Sequence, residues 1–231
     1  MSATYLGVLQ AVGAFVGGLL MRLGVVLLVV VAFLVPVALA LGAVRAWRSL
    51  LPAARGLRRV GHVLYRPGVR YAAGHTWVER EAARVKVGID GVAQEILPWA
   101  LSVELPRPGQ ELAEGEVAAV ISCGSDEARI AAPIAGRVVA VNAEVERDPS
   151  LVKEDGYGRG WLFALQPSDA RWSTLPAGDV ARQWMTQESD RLDQFLESRL
   201  GFVGKVARSG PAPQVLPPGE WRELTRSFLH A

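Results

Sequence analysis

Cysteine and lysine are both scarce in this chain of 231 residues. The one cysteine, Cys123, excludes an internal disulfide and any metal cluster built from several cysteines, and it agrees with a reducing compartment. The 25 basic residues include only three lysines, which are Lys86, Lys153 and Lys205. The stretch from Val120 to Arg129 therefore contains no amine side chain.

Motifs that carry enzyme chemistry are absent from the sequence as well. It contains no phosphate-binding Walker loop, and no spacing of carboxylates, or of a nucleophile and a base, that is typical of catalysis. His75 has no second histidine or cysteine close to it in sequence, so we expect a hydrogen-bonded structural histidine rather than a metal ligand. We therefore predict a protein that is not an enzyme and that holds neither a metal nor a cofactor.

Neither positive nor negative charge dominates the chain, which has a formal net charge of +2. Acidic and basic residues are mixed, so nothing predicts a groove that follows the phosphates of a nucleic acid. One local cluster of arginines is typical of contact with anionic lipid headgroups. Its members, which follow the longest apolar run, are Arg45, Arg48, Arg55, Arg58 and Arg59.

The apolar run that precedes these arginines covers residues 23–44 and contains no charged residue. As a helix it would be roughly 33 Å long, close to the thickness of a bilayer core, so we predict a transmembrane helix. A cleaved signal peptide fits less well, because Arg22 comes late, the apolar core is long and the following flank is basic. Residues 1–22 form a further apolar segment, whose role the sequence does not define.

The charges that flank the apolar run also predict its orientation. Only Arg22 precedes the run, whereas the arginine cluster follows it. The positive-inside rule then places the N-terminus outside and the remainder of the chain in the cytoplasm. We therefore predict a single-pass protein of the bacterial cytoplasmic membrane.

Beyond the anchor, the chain is expected to form a basic helical segment over residues 45–61 and a mainly β domain over residues 62–200. In this domain Val85, Val87 and Ile89 alternate with other residues, a period of two that is typical of a strand. Other short apolar stretches are separated by turns rich in glycine and proline, which favours a sandwich or a small barrel. Those stretches are residues 101–105, 118–121, 130–132, 136–141 and 161–165.

Helices are expected after the strands. Residues 179–200 place apolar side chains near one helical face, with Asp179 as a plausible N-cap. Residues 201–231 form a proline-rich tail whose end carries an apolar helical stripe. A short helix is unstable alone in water, so the stripe must rest on another subunit, the membrane surface or the barrel, and its isolation by prolines favours a partner. The predicted partner-binding residues are Trp221, Leu224, Phe228 and Leu229.

Several motifs, in this order and spacing, resemble the glycine cleavage system H protein family. They stand at residues 74–78, 87–90, 132–139, 148–152 and 155–162. The resemblance covers roughly residues 62–200. It implies a lipoyl-type β-barrel sandwich with a C-terminal helix, and the function of carrying a lipoyl arm on a lysine between enzymes.

The lysine that the resemblance implies is missing from the sequence. Counting back from Pro133, its position falls on Ser125, and a hydroxyl cannot replace the amine that forms the lipoyl amide. Cys123 lies two residues away, but its acidic neighbours Asp126 and Glu127 disfavour a reactive thiolate. We therefore expect a degenerate lipoyl position at Ser125.

These observations predict a non-catalytic, membrane-anchored subunit that docks on a larger membrane complex from the cytoplasmic side and stabilises it. Anchor, barrel and tail would give three linked attachment points on the complex. By analogy with other single-helix subunits that carry cytoplasmic β domains, the complex could be of the respiratory or photosynthetic type. Two alternatives stay open: a carrier or redox relay that uses Cys123 or a noncovalent cofactor, and a transient assembly or recruitment factor.

Overall fold

The computed structural model describes residues 56–97, 102–123, 126–200 and 219–229, with helical positions 15, 21–22, 28, 32–37 and 39. The chain divides into two compact units, Met1–Arg55 and Gly56–Ala231. Most of the predicted transmembrane segment lies outside the described residues, and so do Arg45, Arg48 and Arg55. At the positions that are described, no helix is long and apolar enough to cross a membrane.

The second unit begins with a short β-hairpin. Strand β1 (Arg58–Val60) pairs antiparallel with β2 (Val63–Tyr65), and Gly61 turns the chain between them with φ of 57°. Arg58 and Arg59 are exposed on β1. The prediction of a helix over residues 45–61 is therefore wrong for its described end, because the chain there already pairs with the barrel domain.

Two antiparallel sheets form the body of this unit, and the predicted mainly β class is confirmed. The larger sheet has the order β3-β4-β5-β11-β10-β7 and the smaller one the order β6-β8-β9. The strands of the larger sheet are β3 (Arg70–Ala72), β4 (Thr76–Glu81), β5 (Arg84–Ile89), β7 (Glu111–Leu112), β10 (Gly136–Val141) and β11 (Phe163–Pro167). Those of the smaller sheet are β6 (Ser102–Glu104), β8 (Val117–Cys123) and β9 (Asp126–Ala131).

The period-two pattern of the sequence appears directly in the burial of β5. Val85 and Val87 are buried to 1% exposure or less, while Lys86 between them points outward. Trp77 of β4 is paired with Gly88 and lies on the other face of the sheet, where it is buried and its indole donates to the carbonyl of Gly156 at 3.0 Å. Burial of an apolar side chain such as Val85 or Val87 contributes roughly 2 kcal/mol, so the alternation along β5 fixes the register of the sheet.

Three short helices connect the strands. Helix α1 (Gly91–Ile96) starts at the N-cap Asp90, and its first residue approaches β2 so closely that a Cβ on Gly91 would lie 1.9 Å from the carbonyl oxygen of Leu64. Helices α2 (Ala143–Arg147) and α3 (Leu151–Glu154) follow β10. Together they carry the chain from β10 to β11 around the buried ring of Tyr157.

Two longer helices complete the unit. Helix α4 (Gly178–Leu200) confirms the predicted helix, although the apolar side chain of Val180, near its start, is 66% exposed. Helix α5 (Glu220–Leu229) packs on β9 and α1. The buried face of α4 consists of Ala181, Met185, Ser189, Leu192 and Leu196.

Candidate functional site

The hairpin of β8 and β9 is the place where the family resemblance puts the cofactor-bearing turn. Its strands are paired up to Cys123 and Asp126, so only Gly124 and Ser125 connect them. Those two residues lie outside the described part of the chain, as do the side chains of Cys123 and Asp126. The register of the two strands brackets Ser125, the predicted position of the degenerate lipoyl residue.

The described part of the hairpin has an apolar inner face and a charged outer face. Ile121, Ala128 and Ile130 are buried to 1% exposure or less. Glu127 and Arg129 point outward and form a loose ion pair of 3.9 Å, with both side chains more than half exposed. Such an exposed pair contributes little to stability, so the shape of the hairpin depends on its buried face.

The lysines that the structure describes are bound by groups outside the β8–β9 hairpin. Lys86 lies on β5, where its Nζ is 3.0 Å from Glu81 Oε1 and 5.4 Å from the ring centre of Trp161. Lys153 lies on α3 and donates to the main-chain carbonyl of Leu97. Burial lowers the pKa of Lys153 to about 8, although the charge of Glu95 opposes the shift. Neither amine is placed at a hairpin turn.

Helix α5 covers the sheet that carries the hairpin. Trp221 donates from its indole to the carbonyl of Ile96 at 2.8 Å, and Leu224, Phe228 and Leu229 are 1% exposed or less. The end of the helix lies so close to the chain before β4 that a Cβ on Gly74 would be 3.2 Å from the carbonyl oxygen of Leu229.

These contacts correct the expectation that the stripe of Trp221, Leu224, Phe228 and Leu229 binds a partner. All four side chains are buried within the protein's own unit, so the stripe rests on the barrel. The expectation that this short amphipathic helix must pack on another surface is confirmed. That surface belongs to the same chain.

Helix α4 holds α5 in place through arginines and aromatic rings. Arg191 donates to the carbonyl of Ser227 at 2.8 Å, and its guanidinium lies 4.5 Å from the ring centre of Phe228. Arg199 pairs with Glu220 at 3.3 Å and with Glu223 at 2.5 Å. The two helices therefore brace each other as well as the sheet.

A buried histidine lies beneath these two helices. The imidazole of His75 is inaccessible to solvent, with Nδ1 3.0 Å from Asp90 Oδ2 and Nε2 3.4 Å from Glu188 Oε2. The second distance is an ion-pair separation without the alignment of a hydrogen bond. Trp184 stacks on the ring with centroids 5.3 Å apart, and Phe228 lies at 5.8 Å. The predicted hydrogen bonding of His75 is confirmed at Nδ1.

His75 is held in its charged form by its carboxylate partners. Burial alone would lower its pKa, but the charge and hydrogen bond of Asp90, followed by the close contact with Glu188, raise the pKa to about 9. The contact with His75 in turn lowers the pKa of the Glu188 carboxyl. An imidazolium therefore connects Asp90, the N-cap of α1, to Glu188 on α4 at neutral pH.

We call this arrangement the histidine clamp: His75, Asp90 and Glu188 with the covering rings of Trp184 and Phe228. Asp90 also accepts from the amides of Val92 and Ala93 at 2.9 and 3.0 Å, so one carboxylate caps a helix and binds the imidazolium. His75 adopts a positive φ of 55°, which is uncommon for a residue with a side chain.

Sequence reasoning missed the partners of this histidine. Asp90 is 15 residues and Glu188 more than a hundred residues away from His75 along the chain. No spacing rule connects the two positions. Across the described ranges, no group of three or more histidine, cysteine or acidic side chains is arranged to hold a metal ion.

The comparisons with known proteins match the barrel domain. The family model for the glycine cleavage H-protein matches residues 69–188. A glycine cleavage system H protein of Thermus thermophilus is 41% identical over 99 residues, which are 43% of this chain and 77% of that protein. Its counterpart in Nitrosomonas eutropha is 43% identical over 102 residues, 44% of this chain and 78% of that protein.

A solved structure adds a further match. The crystal structure of a glycine cleavage system H protein from Mycobacterium marinum is 31% identical in sequence, covers 46% of this chain and 88% of that chain, and has a TM-score of 0.42. Within this chain, His75 and Asp90 lie inside the family match, Glu188 is its last residue, and α5 lies beyond it.

Proposed function

The chain belongs to the glycine cleavage H-protein family, and we propose that it is a membrane-anchored member without a lipoyl arm. In this role it docks on a larger membrane complex from the cytoplasmic side and stabilises that complex without catalysing a reaction. The observation that carries the proposal is the absence of lysine from the β8–β9 hairpin.

The missing lysine removes the chemistry of a covalent carrier. A lipoyl group is attached as an amide, which requires an amine, and arginine cannot substitute because its guanidinium stays protonated. Lys86 and Lys153 are engaged elsewhere in the unit, and Lys205 lies outside the described residues. A domain that has this fold but carries no arm can still serve as a surface on which other proteins dock.

The first 55 residues support attachment to a membrane. The described helical positions there expose large apolar side chains, of which Phe15, Met21, Leu28, Phe33 and Leu39 are 69–74% exposed. Such side chains are unfavourable in water, and a bilayer removes them from it. The uncharged run over residues 23–44 has the length that a span requires.

The brace formed by α4 and α5 supports a structural role. It buries the face of β9 and fixes both helices to the sheet through the histidine clamp. A docking subunit benefits from a rigid body, because less entropy is lost when it binds.

The test is the behaviour of the tagged full chain in its own membranes. We expect it in the membrane fraction and, after mild detergent, on a native gel far above its own 24.8 kDa. A variant lacking residues 1–55 should be released into the soluble fraction. Migration as a single chain would contradict docking, and loss of the assembly after dilution would favour the transient assembly factor.

The orientation has a separate test. Protease added to intact spheroplasts should leave the barrel domain undigested, because the arginines that follow the apolar run favour the cytoplasmic side. Lysed spheroplasts, treated in parallel, show that the protease can cut the domain. Digestion without lysis would contradict the proposed location.

A further inference from the structure

A tryptophan flanked by two arginines lies at the edge strand of the larger sheet. Trp172 is half-buried in the 3₁₀ turn Arg171–Thr174, which follows β11. The guanidinium carbon of Arg70 lies 5.7 Å from its ring centre, and that of Arg80 lies 5.5 Å away. Both distances are within the range of a cation–π contact.

The register of the sheet explains why the two arginines meet. Arg70 on β3 is paired with Val78 on β4, so Arg80, two residues further along β4, points to the same face. The chain after the 3₁₀ turn then runs beside β3, where the carbonyl of Leu175 accepts from Arg70 Nη1 at 2.7 Å. Trp172 is thereby fixed over both guanidinium groups.

These two positive charges have no carboxylate partner among the residues that the structure describes. Neighbouring arginines are neutralised, since Arg84 pairs with Glu81 at 2.7 Å and Arg171 pairs with Asp169 at 2.6 Å. Arg70 and Arg80, by contrast, have no carboxylate within ion-pair distance anywhere in the described ranges. An arginine cannot lose its charge, so the surface stays cationic at any physiological pH.

The surface is also concave. An open pocket of about 380 Å³ lies beside Trp172, and its wall includes Arg80, Pro167, the turn between β4 and β5, and Asp169, whose carboxylate pairs with Arg171. In that turn Ala82 has a φ of 56°, and its carbonyl accepts from Arg80 Nε at 3.2 Å. The turn thus orients one guanidinium at the rim, at the cost of a backbone conformation that alanine rarely adopts.

We propose that this Arg–Trp surface, formed by Arg70, Arg80, Trp172 and the adjoining pocket, binds an acidic segment of a partner protein. The proposal rests on the proposed function, because it names the face through which a docking subunit would make contact. Carboxylates of the partner pair with the two guanidinium groups, and an apolar side chain contacts the exposed part of the indole. Tryptophan and arginine are the residue types most enriched among the energetically dominant residues of interfaces.

The shape and charge of the surface favour a protein over other anions. Anionic membranes are usually bound by flat clusters of about four to eight basic residues, whereas two arginines beside a pocket present a small, concave target. Nucleic acids require a basic stripe that follows the phosphates, which this mixed surface lacks.

The test uses the full chain in neutral detergent micelles and a fluorescent octaglutamate peptide as the probe. The double variant Arg70→Glu with Arg80→Glu should weaken binding at low salt by about tenfold or more. The matched control is Arg107→Glu with Arg137→Glu, which changes the net charge equally. Both control arginines are exposed, and Arg137 lies on β10, near the opposite edge of the sheet. Binding of the control within about twofold of the parent supports the surface, and equal binding by all three proteins overturns it.

A second variant guards against a folding defect. Arg70 also bonds to Leu175, so its replacement can loosen the 3₁₀ turn. Arg80→Glu alone alters an exposed side chain whose hydrogen bond stays within its own turn. If the melting curve of the double variant shifts, this single variant decides the matter, with a loss of binding supporting the surface and unchanged binding overturning it.

Other occupants are distinguished by two further probes. Phosphatidylserine vesicles and inorganic phosphate are titrated against the same variants. Binding to either one, but not to octaglutamate, that disappears in the double variant would overturn the assignment to a protein segment.

The native-gel assay separates this inference from the proposed function. If the parent and the double variant both migrate in the large assembly, the docking role stands and the Arg–Trp surface is overturned. If the parent shows no assembly, the docking role itself fails.

Discussion

The β8–β9 hairpin and the histidine clamp lie in one folded unit but differ in how many specific side-chain contacts hold them. The hairpin is the part that defines the function of the family, yet its turn has no lysine and its described outer face carries only the loose pair of Glu127 and Arg129. The clamp is buried, charged and covered by aromatic rings, and it joins the sheet to helices at and beyond the end of the family match.

The difference between the two regions indicates where this chain depends on particular side chains. The barrel core is retained, the hairpin where the family resemblance places the lipoyl lysine contains no lysine, and the C-terminal helices are fixed by an extensive set of contacts. If this interpretation is right, substitutions in the clamp and in α5 should be costly, whereas substitutions at the hairpin turn should be almost silent.

The largest effect is expected from removing the two large rings of α5. Trp221→Ala with Phe228→Ala should lower the free energy of unfolding by at least about 3 kcal/mol, because each truncation leaves a cavity and a lost contact in a buried interface. Chemical denaturation of the full chain in micelles measures this loss. Val180→Ala, at a site 66% exposed on α4, is the control and should change stability by less than about 0.5 kcal/mol. Unchanged unfolding of the double variant would mean that α5 is not a brace.

The next effect concerns His75 itself. His75→Asn tolerates the positive φ but leaves Asp90 and Glu188 without their cation, and breaking a buried ion pair in this way costs about 3 kcal/mol or more. His62→Asn is the matched control, because His62 meets Asp193 at 3.3 Å with both side chains about a quarter exposed. That control should cost about 1 kcal/mol or less. Equal losses for the two variants would contradict a special role for the clamp.

The clamp also predicts how stability depends on pH. The pKa of His75 is 6.5 in its ordinary state and about 9 in the folded protein, so its contribution is fully present below pH 6.5 and is lost as the pH rises towards 9. The pKa of Lys153 is about 8 in the folded protein and 10.5 in its ordinary state, so this residue adds stability as the pH rises above 8. The effect of His75 is therefore best measured between pH 6.5 and 8.

In this window the free energy of unfolding should fall by about 1.5 kcal/mol. Denaturation midpoints measured at several pH values give the slope, and the same series in His75→Asn should be flatter by that amount. A parent protein whose stability does not change over this interval would show that the imidazole is already neutral.

The smallest effects are expected at the hairpin. Cys123→Ser and Ser125→Ala should each change the free energy of unfolding by less than about 0.5 kcal/mol. Neither variant should change the amount of assembled complex by more than the experimental error. A lone thiol beside acidic residues is poorly activated, and Ser125 has no amine to replace. Loss of the function of the complex in Cys123→Ser, at normal subunit levels, would favour the redox relay.

Local patterns in the sequence were enough to predict most of the barrel. The alternation around Val85 and Val87 and the apolar face of α4 follow from periods of two and 3.6 residues, and the position of the hairpin before Pro133 follows from the family resemblance. The arginines of β1 were assigned to a helix, because a strand of three residues, Arg58–Val60, is too short to show a period.

Contacts between distant segments were beyond such patterns. The stripe of α5 shows that a cover is needed but not which surface supplies it, and a long proline-rich stretch separates Leu200 from Glu220. The pairing of His75 with Glu188 likewise depends on where α4 crosses the sheet. The charge on a buried histidine is decided by its tertiary neighbours, which the sequence around it does not contain.

Native mass spectrometry of the full chain, purified from its own membranes in mild detergent, tests the central claim most directly. The account predicts that a chain of unmodified mass is released from an assembly much heavier than itself. A chain that carries a lipoyl group on Lys86, Lys153 or Lys205, or one that is recovered only as a free single chain, would contradict it.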